Sequence, residues 1–125
     1  MCHVLIIEDE PLIAMAIQDI LASEGATSFE TVETEKAAVF AATANEPHLI
    51  TSDVKLLEGT GPAAVAEIHK RLGPIPVIFI TGTPDACRPC NPPGSIVRKP
   101  FSKQAIIAAF HEVATSNVRP ISGAA

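Results

Sequence analysis

Tryptophan and tyrosine are absent from this 125-residue sequence, and its five phenylalanines are scattered. Proteins that bind single-stranded nucleic acid stack bases on aromatic side chains, and this sequence offers no such platform. Basic residues are scarce as well, since 9 lysines and arginines against 14 aspartates and glutamates give a formal net charge of −5. This balance argues against direct nucleic-acid binding and against a polybasic membrane patch.

Long apolar runs and paired cysteines are also missing. No run approaches the roughly 20 apolar residues of a membrane span, and the first residues turn acidic at Glu8 without the pattern of a secretory signal. Three cysteines are too few, and odd in number, for a disulfide framework. We therefore expect a cytoplasmic protein with one domain at residues 1–115 and a flexible C-terminal tail at 116–125.

Short apolar runs alternate with helical stretches along the chain. The first helical stretch begins at Pro11 and ends near Gly25, with apolar residues on one face. Further helices are predicted at 33–44, at 62–72 and from Ser102 onward. Strands are predicted at 4–7, 27–32, 49–53, 76–81 and 95–98. Five strands alternating with helices predict an α/β domain with a parallel sheet.

The predicted strand ends carry the residues of chemical interest. Glu8 and Asp9 follow the first strand, Asp53 ends the third, Thr81 ends the fourth and Lys99 follows the fifth. In such sheets ligands bind at the carboxyl ends of the strands. Each residue alone would be an ordinary turn or strand-end residue, and it is their combination that predicts a site.

Carboxylates that converge in this way repel each other, by roughly 4 kcal/mol for a pair at ~4 Å and an effective dielectric of ~20. A proton or a divalent cation relieves the repulsion, and hard oxygen ligands in an open site favour Mg²⁺. A carboxylate can also attack a phosphoryl group and form an aspartyl-phosphate. An ammonium and a hydroxyl nearby would neutralise the phosphoryl oxygens.

Four stretches together resemble the receiver (CheY-like) domain of bacterial response regulators, over about 3–113. They are the segment from Val4 to Ile13, the segment 53–56 with Gly59 and Gly61, the segment 76–82 and Lys99-Pro100-Phe101. The resemblance implies a single-domain receiver with a doubly wound, flavodoxin-like sheet of order 2-1-3-4-5. It also implies a cis peptide between Lys99 and Pro100.

The resemblance implies roles for individual residues. Asp53 would be the phosphoacceptor, with Thr81 and Lys99 binding the phosphoryl group. Asp9 and Asp53 would ligate Mg²⁺ directly, Glu8 would assist through water, and the backbone carbonyl of Lys55 would complete the protein ligands. A sensor histidine kinase would be the phosphodonor, and the output would be a protein–protein contact.

Two departures from the family pattern concern how phosphorylation would reach a binding surface rather than the phosphorylation site itself. Ile96 stands where the family has an aromatic switch residue. Four prolines, at 84, 89, 92 and 93, predict that the fourth helix is reduced or absent. This loop resembles an alphaproteobacterial subgroup that includes the receiver half of the general-stress-response anti-sigma-factor antagonist, and that is served by HWE/HisKA2 kinases. We expect residues 82–94 and 101–114 to form the switching face.

Several alternatives stay open. The chain could be a phosphate sink without an output, and its oligomeric state, including a homodimer, is undetermined. A phosphatase of the haloacid-dehalogenase type is disfavoured because Lys55 stands where that type has a second aspartate, so we expect no enzyme beyond self-phosphorylation and autodephosphorylation. Cys87 and Cys90 could be a redox or zinc pair, but small residues of a proline-rich loop are the simpler interpretation.

Overall fold

The structure is a computed structural model, and it describes residues 2–82 and 95–116. Within these residues there are five strands and four helices, in the order expected from the sequence. The elements are β1 His3–Ile7, α1 Pro11–Ser23, β2 Ser28–Val32, α2 Glu35–Ala44, β3 Leu49–Ser52, α3 Gly61–Leu72, β4 Val77–Thr81, β5 Ser95–Arg98 and α4 Lys103–Ser116.

The five strands form one parallel sheet in the order β2-β1-β3-β4-β5, which confirms the predicted fold. Ile7 at the end of β1 is level with Ser52 at the end of β3, and Thr81 at the end of β4 is level with Arg98 of β5. The register therefore brings the carboxyl ends of the four strands β1, β3, β4 and β5 to one edge.

The sheet separates two hydrophobic cores. Leu5 and Ile7 of β1 pack into the core under α2 and α3, whereas Val4 and Ile6 pack into the core with residues of α1 and α4. Every residue of β1, β3 and β4 is buried. This explains why these strands are largely apolar rather than alternating between apolar and polar residues, since both of their faces are covered.

The helices begin where the sequence supplies start signals. Pro11 occupies the first turn of α1, where a missing backbone N–H costs nothing. The Thr34 side chain accepts a hydrogen bond from the Ala37 N–H at the start of α2, and Thr60 does the same for Ala63 at the start of α3. Because Thr34 is a cap, α2 begins two residues later than the predicted 33.

Asp53 lies just outside β3 rather than at its last position. Its N–H still donates to the Ile7 carbonyl, at 2.9 Å. Its own carbonyl accepts from the Ser52 hydroxyl at 2.8 Å, so the ladder of β3 stops there. Asp53 is therefore the first residue of the β3–α3 loop, which we define as residues 53–60.

Two expectations fall outside the described residues. The proline-rich segment, where the fourth helix was predicted to be reduced or absent, covers residues 83–94. The predicted tail covers 116–125, of which the structure describes only Ser116, as the end of α4. Across the described residues, no helix combines the length and the apolar character needed to cross a membrane.

Candidate functional site

Four carboxylates meet at the carboxyl edge of the sheet. Glu8, Asp9 and Glu10 follow β1, and Asp53 follows β3, its neighbour in the sheet. One oxygen from each of the four lies within 4.8 Å of the others. The structure thus brings together the acidic side chains that were predicted from the strand ends, with Glu10 added to them.

The Lys99 ammonium lies among these carboxylates. Its Nζ is 3.0 Å from Asp53 Oδ2, 3.1 Å from Glu8 Oε1 and 3.2 Å from Glu10 Oε1. The Lys99 N–H donates to the Thr81 carbonyl at 2.9 Å, which fixes the lysine next to the end of β4. The peptide between Lys99 and Pro100 is cis, as the resemblance implied.

Negative charge exceeds positive charge in this cluster. Glu8 is only 2% exposed, and burial raises the pKa of its carboxyl to about 7 from the ordinary 4.5. The charge of Lys99 opposes this rise and the charge of Asp53 adds to it. For Lys99, burial lowers the pKa, but the hydrogen bond to Asp53 and the charge of Glu8 outweigh it, so the net pKa is raised.

The donor set fits a hard divalent cation. Oε1 of Glu8 is fully buried and makes no hydrogen bond within the described structure, although it lies at ion-pair distance from Lys99. A buried carboxylate oxygen without a hydrogen bond is costly unless another positive group approaches it. Glu8, Asp9 and Asp53 would supply the oxygens that Mg²⁺ prefers. Lys55, the fourth predicted ligand, lies in the β3–α3 loop, where it pairs with Thr60 in an isolated bridge.

The Asp53 side chain is oriented by its own loop. The Val54 N–H donates to Asp53 Oδ1 at 2.7 Å, while Oδ2 faces Lys99. The Gly61 N–H donates to the Val54 carbonyl at 2.8 Å. A Cβ at Gly61 would overlap the Asp53 carbonyl oxygen, so only glycine lets α3 approach this closely.

Thr81 and Ile96 lie on the two strands beyond Asp53. Thr81 ends β4 and is 1% exposed. Ile96 of β5 is level with Phe79 and packs, half-buried, against the core under α2 and α3. Ile96, which stands where the family has an aromatic switch residue, is therefore a packing residue in this structure.

Sequence reasoning missed some of the participants. Glu10 received no role from the sequence, although it directly follows Glu8 and Asp9 and the acidic triplet was the available signal. The Val54 amide and Gly61 carry no chemical signature in the sequence. The spacing of two glycines after Asp53 was the one hint to Gly61. Cys87 and Cys90 lie outside the described residues.

The comparisons agree with this geometry. The sequence model that describes the response regulator receiver domain family matches residues 4–111 of this chain. PhyR, a phyllosphere-induced regulator of Methylorubrum extorquens, is 35% identical over 116 residues, which are 88% of this chain and 42% of that protein. The chain spans less than half the length of the curated relatives it matches.

Solved structures show the same similarity. The receiver domain of PhyR from Erythrobacter litoralis superposes with a TM-score of 0.84 at 32% identity, covering 94% of each chain. A variant of the anti-anti-sigma factor PhyR from Bartonella quintana gives a TM-score of 0.75 at 34% identity, covering 94% of this chain and 50% of that one. Fold, strand-end residues and these similarities agree, and the chain belongs to the response regulator receiver domain family.

Proposed function

We propose that this chain is the phosphoacceptor switch of a two-component system, phosphorylated on Asp53 by a sensor histidine kinase. One observation carries the proposal. The Asp53 carboxylate lies at the edge of the sheet with one oxygen held by a backbone amide and the other 3.0 Å from an ammonium, inside a cluster of further carboxylates.

The reaction is a transfer of one phosphoryl group between two side chains. A carboxylate oxygen of Asp53 attacks the phosphorus of a phosphohistidine, a bond forms between that oxygen and phosphorus, and the phosphorus–nitrogen bond breaks. The electron pair of the broken bond stays on the imidazole nitrogen, which takes up a proton. Hydrolysis later returns the carboxylate and releases inorganic phosphate.

Each neighbouring residue then has a defined task. Lys99 exchanges its contact with the Asp53 carboxylate for one with a phosphoryl oxygen, and the Thr81 hydroxyl binds another. Glu8, Asp9, Asp53 and the Lys55 carbonyl would hold Mg²⁺, which neutralises charge on the phosphoryl oxygens. We expect no further enzymatic activity beyond self-phosphorylation and autodephosphorylation at Asp53.

The output is a change in a protein-binding surface in the cytoplasm. A phosphoryl group adds roughly −1.5 to −2 units of charge at the site. The proline-rich loop resembles a receiver subgroup that is served by kinases of the HWE/HisKA2 type, and we propose such a kinase as the phosphodonor. The similarity to PhyR, which one solved structure describes as an anti-anti-sigma factor, is in keeping with that subgroup. The downstream partner is a protein, and the surface that meets it includes α4.

Phosphorylation of the purified chain tests the proposal. The chain is incubated with Mg²⁺ and acetyl phosphate, and the product is followed by intact mass and by tandem mass spectrometry after borohydride reduction. We expect one added phosphoryl group, on Asp53, and none when the cation is chelated. Modification at another residue would overturn the assignment.

Two variants control this experiment. Asp53→Asn removes the attacking oxygen and should abolish the reaction. Asp19→Asn removes an exposed carboxylate on α1, away from the strand ends, and should leave it unchanged. Transfer from a panel of phosphorylated histidine kinases then identifies the donor, and a kinase that loses its phosphate with no effect on any partner would favour the phosphate sink.

A further inference from the structure

The β3–α3 loop is attached to the start of α2 at Thr34 and Glu35. Oε1 of Glu35 accepts a hydrogen bond from the Thr60 N–H at 3.2 Å. The backbone N–H of Glu35 donates to the Glu58 carbonyl at 3.0 Å. Thr34, directly before it, pairs with Glu58 in an isolated parallel bridge. The far end of the loop is therefore bonded to α2 by both backbone and side chain.

This attachment continues to Asp53 through two further hydrogen bonds. Gly61, the neighbour of Thr60, donates to the Val54 carbonyl at 2.8 Å, and the Val54 N–H donates to Asp53 Oδ1 at 2.7 Å. Lys55 also pairs with Thr60 across the loop. Glu35 thus holds the Thr60 N–H, and the next N–H along the chain, that of Gly61, bonds to the Val54 carbonyl. Val54 in turn supplies the N–H that orients the Asp53 carboxylate.

Gly59 shows that the contact is close. Its φ is +81°, which favours glycine, and a Cβ there would overlap the Glu35 side chain. The Glu35 side chain is half-buried, so it lies against the loop rather than extending into solvent. Loop and carboxylate therefore pack directly against each other.

A simpler role for Glu35 would be at the end of its own helix. An acidic residue in the first turn stabilises a helix through the macrodipole, and Glu35 is such a residue. That role does not involve the Thr60 amide, which belongs to the N-cap residue of a different helix, α3. The interhelical hydrogen bond is the observation that the macrodipole leaves unexplained.

We propose that Glu35 is a positioning residue for the phosphoacceptor site. Its Oε1 holds the Thr60 amide, and the β3–α3 loop then keeps the Asp53 carboxylate and the Lys55 carbonyl arranged for Mg²⁺. Groups that orient metal ligands without touching the ion commonly affect metal affinity. This inference rests on the proposed function, because it presupposes a cation at Asp53.

Three variants of the full chain test it. Glu35→Ala removes the acceptor, Glu35→Gln keeps an acceptor oxygen, and Glu33→Gln alters an exposed carboxylate two residues away. For each, circular dichroism verifies folding, amide hydrogen exchange of Val54 and Gly61 is measured without metal, and Mg²⁺ affinity is measured by titration followed by NMR. We expect Glu35→Ala to speed the exchange and to weaken Mg²⁺ binding by about threefold to tenfold, the value of one hydrogen bond.

The Gln variants should both stay within about twofold of the unmodified chain, a change too small to represent a lost hydrogen bond. Unchanged amide exchange in Glu35→Ala would overturn the inference, and so would faster exchange with unchanged Mg²⁺ affinity, since Glu35 would then be structural only. If the unmodified chain itself binds no Mg²⁺, the proposed function has failed instead, and the inference falls with it for that separate reason.

Discussion

The two edges of the sheet both carry polar clusters, but they balance their polar groups differently. At the amino edge, His3 is buried with Ser28, Asn45 and His48 around it. At the carboxyl edge, four carboxylates cluster together, and one ammonium contacts three of them. The polar groups of the first cluster pair with one another by hydrogen bonds, and the second cluster is left with more acceptors than donors.

The amino edge has a partner for each nitrogen of the His3 ring. Nδ1 lies 2.7 Å from the Ser28 hydroxyl, and Nε2 lies 3.3 Å from Asn45 Nδ2. Both ring nitrogens therefore lie within hydrogen-bond distance of a polar side chain. His48 closes the cluster by accepting from the His3 N–H at 2.9 Å through its own Nδ1.

This contrast distinguishes polar groups that stabilise the fold from polar groups that can bind a ligand. A buried group with all its partners stabilises the fold and needs nothing from outside. A buried oxygen without a hydrogen bond, such as Glu8 Oε1, leaves capacity for a ligand. Changes at the carboxyl edge should therefore alter chemistry, and changes at the amino edge should alter stability.

The largest expected effect is at Lys99. Lys99→Ala removes the only cation in the described cluster, and it should slow phosphorylation by acetyl phosphate about 10²- to 10³-fold, as loss of a group that stabilises developing charge does. The rate is measured by mass spectrometry at saturating Mg²⁺. Lys103→Ala, an exposed lysine at the start of α4, serves as the control and should leave the rate unchanged.

The amino edge should respond in the opposite way. His3→Ala deletes a buried ring and its hydrogen bonds, and should lower the free energy of unfolding by about 2 kcal/mol in urea denaturation. Mg²⁺ affinity and the phosphorylation rate should not change, because His3 begins β1 and so lies at the opposite end of this strand from Glu8. A loss of Mg²⁺ affinity in the folded variant would break the distinction between the edges.

Glycine substitutions probe the loop beside the carboxyl edge. Gly59→Ala meets both a positive φ and the Glu35 side chain, whereas Gly25→Ala meets a positive φ of +107° with open space around it. We expect Gly59→Ala to be more destabilising than Gly25→Ala by about 1 to 2 kcal/mol, because overpacking adds to backbone strain. In a Glu35→Ala background the difference should shrink. Thermal denaturation of six chains measures it: the two glycine variants and their parent in each of the two backgrounds.

The smallest effect is a pH dependence at Glu8. Because burial raises its pKa from 4.5 to about 7, the folded state favours the protonated carboxyl. The resulting stability is present below pH 4.5 and is lost as the pH rises through about 7. Without Mg²⁺, stability relative to Glu8→Gln should therefore fall over this range, by about 1 kcal/mol or more.

Denaturation curves of both chains across that range measure this effect, and saturating Mg²⁺ should reverse its sign by binding the ionised form. If the free energies of unfolding of the two chains changed with pH by the same amount, the pKa shift of Glu8 would be contradicted.

The sequence predicts more of the sheet than of its loops. The apolar runs predicted the strands because a parallel sheet covered on both faces needs largely apolar strands, and the order of the strands in the sheet came from the family resemblance. Glu8, Asp9, Asp53 and Lys99 were found because each lies at the end of such a run. Their exact pairing, with one lysine touching three carboxylates, depends on distances that a sequence does not contain.

The loop contacts were beyond prediction for a different reason. The hydrogen bond from Thr60 to Glu35 joins a backbone amide to a side chain 25 residues away. Any residue except proline has a backbone N–H, so the residue type at position 60 does not indicate that its N–H binds a distant side chain. Likewise, Gly59 and Gly61 predict a turn. They do not predict which neighbouring group lies where a side chain would otherwise be.

The outer strand β2 has a consequence for self-association. Within the described structure it pairs only with β1, so its other side presents free backbone groups, which are a template for aggregation through added strands. Because β2 has only five residues, this template is short, and the exposed Glu30 and Thr31 make it polar and partly charged. If two copies associate, the edge of β2 is therefore a poor place for it, and the helical faces are the better one.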